Sequence, residues 1–226
     1  AAMKSTSMFE SMKSMLSIFH VGILALLATE AFDSLAGIVL MPVLPFHLGE
    51  DGLSPLQINL VSIVPMLTGG IMQGLLGQAS DRSGRKVILL MALFCESLSY
   101  VAMALFYEPP LKLVVILAFS GAASGTDAVI NAYITDNVKE DDRPLVMQVK
   151  VTVKALATSA GAGIGSLLYD SFGWAVMSLC LAVGCAAQFV IGGAFWNSKA
   201  AYSTRAETDV VVDEASSEMR GVKQML

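Results

Sequence analysis

Apolar residues fall along this chain in six long runs, at roughly 16–47, 57–78, 87–107, 111–135, 144–170 and 174–196. Short stretches rich in Gly, Pro and charge separate them. Each run reaches the ~20 residues that a helix needs to cross a ~30 Å hydrocarbon core. None shows the strict alternation of a strand. Lipid offers no hydrogen bonds to a backbone, so each run must close its own, as a helix does. Soluble bundle helices carry polar outer faces, and these runs lack them. The pattern predicts an all-α membrane protein, a bundle of six transmembrane helices spanning 16–196.

Composition agrees. Of 226 residues, 55% are hydrophobic and 15% charged, against about 25% charged in an ordinary soluble domain. The net charge of -5 matters less than where the bases lie. With the N-terminus inside, Lys4, Lys13, Arg82, Arg85, Lys86, Lys139, Arg143, Lys199, Arg205, Arg220 and Lys223 fall on the inner side and Lys112 alone outside. The positive-inside rule then predicts a multi-pass protein with both termini cytoplasmic. Residues 1–15 read as a cytoplasmic N-terminal segment. After Trp196 the composition turns polar, so 197–226 reads as a solvated cytoplasmic tail or central linker. Which cellular membrane holds the protein stays open.

Several chemistries are not signalled. No Gly-rich phosphate loop, spaced metal ligands or nucleophile with a local base is evident, and the basic loops are too short for a nucleic-acid surface. The reading is no enzyme, no cofactor, no metal and no nucleic-acid partner. Cys95, Cys180 and Cys185 lie inside apolar runs and read as small buried hydrophobes. Trp174, Trp196, Tyr107 and Tyr169 read as membrane-interface anchors. His20 and His47, at the two ends of the first run, read as bystanders.

Charges inside the runs carry sharper information. An ionised group at mid-bilayer costs several kcal/mol or more, so it normally faces a cavity or a partner. Glu30 and Asp33 share a face of the first helix, Lys150 and Lys154 share a face of the fifth, and Asp127 lies in the fourth. A cavity between helices one, four and five would hold an acid–base cluster. Lys150 admits a blander reading, a side chain snorkelling to the inner interface. Glu96, in the third run, reads as paired inside the bundle or protonated.

The loop after the second run reads Gly77-Gln78-Ala79-Ser80-Asp81-Arg82-Ser83-Gly84-Arg85-Lys86. Gly77 and Gly84 suit a tight turn, and the three bases hold the loop inside. This stretch resembles the signature loop between helices two and three of the major facilitator superfamily. Ala132-Tyr133-Ile134-Thr135-Asp136, followed by Asp142-Arg143, resembles the end of its fourth helix and the loop after it, and Asp33 to Pro45 and the glycine-rich Gly161-Ala162-Gly163-Ile164-Gly165 resemble patterns in helices one and five of its drug/proton antiporters, such as the tetracycline exporters and vesicular amine transporters. Ala162 and Leu117 stand where those antiporters carry a proline and often an arginine.

The resemblance implies a secondary transporter of small organic molecules, with proton-coupled export by alternating access. It covers one six-helix half, about 16–196. It implies that Gly77, Asp81, Arg82, Gly84, Arg85, Lys86 and Asp136 form an inner gate, with an arginine reaching Asp136 and Asp81 contacting the other half. Asp33 becomes the first choice for proton or cation binding, with Glu30, Asp127, Lys154 and Lys150 around it. The partners implied are the lipid bilayer, a small-molecule substrate, protons and a second six-helix half. The alternative is a naturally short six-helix membrane protein that dimerises with, or regulates, a transporter without transporting alone.

Overall fold

The computed structural model describes residues 21–106 and 110–196. The segment expected at 1–15, the tail expected at 197–226, His20 and Tyr107 lie outside them. The described residues form helices α1 (Val21–Glu50), α2 (Pro55–Ser83), α3 (Arg85–Phe106), α4 (Pro110–Ser124), α5 (Asp127–Asn137) and α6 (Arg143–Phe195), with a 3-10 turn at Glu140–Asp142 before α6. Among the described residues five helices are long and apolar enough to cross a membrane, α4 and α5 counting together as one.

Six runs were expected. The difference lies in α6, where the fifth and sixth runs join without an intervening loop. Its 53 residues would reach ~80 Å if straight, far beyond a ~30 Å hydrocarbon core. The helix breaks at Gly173, whose φ of 75° and ψ of 177° are non-helical. Val146, near one end of α6, and Trp196, just past the other, pack into the same apolar cluster. The chain therefore reverses at Gly173, and two limbs, 143–172 and 174–195, run back alongside each other.

A second difference lies in the fourth run, which is not one continuous helix. It breaks at Gly125-Thr126, between α4 and α5. A Cβ on Gly125 would stand 2.7 Å from the Gly69 carbonyl oxygen of α2, so the break lies where two backbones touch. A Cβ on Gly121 would run into the Pro65 backbone. Pro65 lies inside α2 and Gly121 lets α4 press against it.

The loop after the second run is the third difference. Helix α2 continues to Ser83 and α3 starts at Arg85, leaving the turn to one residue, Gly84, at φ 92°. Only a glycine holds that backbone without strain. Gly77, expected to help the turn, is helical, and its face meets the Ala128 side chain of α5. At the opposite end of α2, Ser54 and Gln57 form a reciprocal capping box ahead of the first turn.

Two apolar clusters fill the bundle. The one at the Gly173 end joins Val39–Leu48 of α1 to Tyr100, Met103, Leu117, Trp174 and Met177. The one at the Gly84 end joins Ile23–Leu27 to Leu89, Ile130, Ile134, Val146 and Trp196. Buried polar residues form a belt between them, including Thr29, Glu30, Ser34, Glu96, Ser120, Thr126 and Lys150. Trp174 and Trp196 are core residues, 5% and 3% exposed, not interface anchors. The Trp174 indole stacks on His47 at 4.3 Å and donates to the Met103 carbonyl. Cys185 is buried as expected, but Cys180 is exposed on the outer face of α6.

The helix-five glycines divide by face. Cβ atoms on Gly161 and Gly165 would collide with the α1 backbone at Leu35 and Val39, whereas one on Gly163 would meet nothing within 4 Å. Overpacking of this kind costs ~1–3 kcal/mol. Gly165→Ala should therefore lower the thermal midpoint of the detergent-solubilised protein clearly, and Gly163→Ala should leave it unchanged. Equal midpoints for the two variants would show that α1 and α6 do not pack through these glycines.

Candidate functional site

The polar belt opens into a cavity of about 510 Å³ among α1, α2, α3, the α4–α5 break and α6. Its wall carries Asp33, Glu96, Tyr100, Asp127 and Lys154. Small-molecule sites commonly enclose ~300–1,000 Å³.

The acid–base cluster expected between helices one, four and five is present. Lys150 and Lys154 stand one turn apart on α6 and face Glu30 of α1 and Asp127 at the start of α5. The Lys154 Nζ lies 3.1 Å from Glu30 Oε1 and 3.1 Å from Asp127 Oδ2. The Lys150 Nζ lies 2.9 Å from Asp127 Oδ1 and 3.9 Å from Glu30 Oε1. Lys150 also donates to the Asn131 side-chain oxygen at 2.8 Å. At 6% exposure Lys150 does not snorkel. Glu30 is 1% exposed, whereas the side chains of Asp127 and Lys154 are 41% and 42% exposed. The cluster thus runs from a closed interior to the open cavity. Asp127 gains further from the partial positive charge of the α5 N-terminus.

Asp33 lies outside this ion-pair set. One turn on from Glu30, its carboxyl is in hydrogen-bonding contact with that of Glu96 on α3, and Glu96 also accepts from the Tyr100 hydroxyl at 3.3 Å. Two ionised carboxylates hold no donor between them, so a hydrogen bond across this pair requires that one of them carry a proton. Glu96 is therefore paired inside the bundle, but it also reaches the cavity wall.

At the Gly84 turn the expected gate residues separate. The Arg85 guanidinium bridges Asp81, on its own turn, and Asp136, at 3.2 Å on α5, and donates to Ser80 Oγ at 2.6 Å. The link from an arginine to Asp136 is the one that the resemblance implied. Asp81 pairs with Arg85 within this chain and is otherwise exposed. Arg82 is exposed and joins none of these contacts. Lys86 points elsewhere and donates to the carbonyls of Gly193 and Trp196, both at 2.8 Å, closing the C-terminus of α6.

The family model for the Major Facilitator Superfamily matches residues 26–219. The chain belongs to that superfamily. No curated protein matches its sequence. Superfamily membership, together with the long apolar helices, makes the chain an integral multi-pass membrane protein of a family that transports small solutes.

Two contributors to this site escaped the sequence reading: Asn131, whose partner Lys150 lies 19 positions on, and Ser80, which accepts from Arg85 five residues away. Lys86 was expected in the gate, but its partners, the carbonyls of Gly193 and Trp196, were not marked by any local pattern. The break at Gly125-Thr126 had a weak signal, since Asp127 follows a Thr as a helix start often does.

Glu30 gives a direct test. A buried carboxylate stripped of its cations costs ~3–5 kcal/mol. Replacing both Lys150 and Lys154 by Met should therefore destabilise the solubilised protein severely, and adding Glu30→Gln should restore most of the loss. A triple variant no more stable than the double would show that Glu30 is not held by these lysines.

Proposed function

We propose that this chain is one half of a secondary active transporter that exports small organic molecules in exchange for protons by alternating access. The observation that carries the proposal is the cavity of about 510 Å³ with acids and bases in its wall. Ion pairs and a carboxyl pair that both open onto a substrate space allow binding of a solute to compete with binding of a proton. Asp33 is the main proton-binding group. Glu30, Asp127, Lys150 and Lys154 form the charged network that ties α1 to α5 and α6 and answers to its protonation.

In this reading the two limbs of α6 are separate spans, which makes six in all. Gly84, Asp81, Arg82, Arg85, Lys86 and Asp136 form the inner gate, with Gly77 seating α2 against α5. Gly161 and Gly165 hold α1 against α6. The gate, the 1–15 segment and the 197–226 tail lie in the cytoplasm. A second six-helix bundle, in the same polypeptide or in a dimer partner, closes the cavity.

Two measurements test the proposal. In inside-out vesicles carrying the native transporter, an imposed proton gradient should drive uptake of members of a panel of small organic amines, and Asp33→Asn should abolish that uptake. Unchanged gradient-driven uptake in the variant would remove Asp33 from its role. In a cysteine-free background, Ser83→Cys should react with a membrane-impermeant maleimide only from the cytoplasmic side and Asp51→Cys only from the other. Labelling with the reverse sidedness would overturn the orientation.

A further inference from the structure

A second, much smaller space of about 20 Å³ lies between the central cavity and the Gly84 end. Thr29, Glu30, Asp33, Glu96, Thr126 and Trp196 contribute to its wall. Asp33 and Glu96 also line the central cavity, so the carboxyl pair is the partition between the two spaces. A space of this size accommodates one water molecule, and such sites are polar where dry cavities are apolar. One polar atom of the wall is buried without a hydrogen-bond partner, the Trp196 indole N–H donor, and the Glu30 carboxylate in the same wall is an acceptor already ion-paired with Lys154 at 3.1 Å. Water both donates and accepts, so it complements this set.

Trp196 closes the space toward the Gly84 end. It is 3% exposed and packs near Tyr133, with ring centroids 6.4 Å apart. Its ring lies across Gly192, where a Cβ would stand 3.0 Å from the indole. Its backbone carbonyl is one of the two that Lys86 holds at 2.8 Å. The superfamily loop thus grips the residue that seals the acids from the inner side.

We propose that this small chamber is a one-water proton-relay site between the Asp33–Glu96 pair and Glu30, sealed by a Trp196 plug that Lys86 latches. The inference rests on the proton-coupled reading of the central cavity. The step balances in protons and charge. The O–H bond of the Asp33–Glu96 pair breaks as the water oxygen takes that proton, and the water passes one of its own protons to the Glu30 carboxylate. The pair becomes two carboxylates, Glu30 becomes neutral, and the water is regenerated. Lys154 then keeps Asp127 but loses Glu30, which releases α1 from α6. The groups facing this exchange are Glu30 on α1, Tyr100 on α3, Asp127 on α5, Lys150 and Lys154 on the first limb of α6, and Cys185 on the second.

The experiment uses the purified chain in lipid and reads the infrared C=O band of protonated carboxyl groups at neutral pH, where exposed acids are ionised. The probe is D2O. The wild type should show a band that shifts slowly on transfer to D2O, and Asp33→Asn and Glu96→Gln should each remove it. Lys86→Met and Gly192→Ala should make the shift about tenfold faster, the factor that a barrier lowered by ~1.4 kcal/mol produces. Trp196→Phe, which keeps a ring in place, should retain slow exchange. With Trp174→Phe as background, Trp196 is the sole tryptophan of the two in the sequence, and Lys86→Met should increase its quenching by acrylamide. A band indifferent to both carboxyl substitutions overturns the proton on the pair, and exchange unchanged in both Lys86→Met and Gly192→Ala overturns the plug. Transport that ignores a proton gradient, with the band and its slow exchange intact, would count against the proposed function and leave the chamber supported.

Discussion

Glu30 cannot be buried as an anion unless something neutralises it, and much of the bundle's inner arrangement follows from that constraint. A carboxylate 1% exposed in a lipid-embedded bundle needs a cation at hydrogen-bonding range. Lys154 supplies it at 3.1 Å, and Lys150 supports from 3.9 Å. Two lysines on one helix face then need a second anion, which Asp127 provides. Asp127 reaches them from the first turn of α5, just past the break in the fourth run. One electrostatic requirement thus fixes α1, α5 and the first limb of α6 relative to one another.

Packing supplies the second requirement. Charges meet at these distances only if backbones approach closely, and small residues permit that. Gly161 and Gly165 bring α6 against α1, and Gly121 and Gly125 bring the α4–α5 segment against α2. The apolar clusters above and below seal the polar belt. A bundle arranged this way is apolar at its two ends and polar in the middle.

The turn at Gly84 ties helix ends together by two routes. Arg85 ties the end of α2 to α5 through Asp81 and Asp136. Lys86, the next residue, ties the start of α3 to the end of α6. Adjacent bases therefore hold two different helices, α5 and the end of α6.

The sequence alone determined the class of the molecule. Runs of ~20 apolar residues cannot be anything but helices in lipid, and the Gly77–Lys86 stretch carried a superfamily resemblance that the match over 26–219 shows to be right. The charged residues inside the runs were legible too, because a charge among apolar neighbours stands out, and their meeting was foreseen. What it did not determine was which partner each charge takes. Asp33 turns to Glu96 and not to a lysine, Lys86 reaches the carbonyls at the end of α6, and Trp196 enters the core. These choices depend on helix rotation and on residues up to 110 positions apart. The breaks at Gly173 and Gly125-Thr126 were decided the same way. A glycine allows a helix to break, but only the close approach of α2 and the reversal of α6 onto the same core decide where it does.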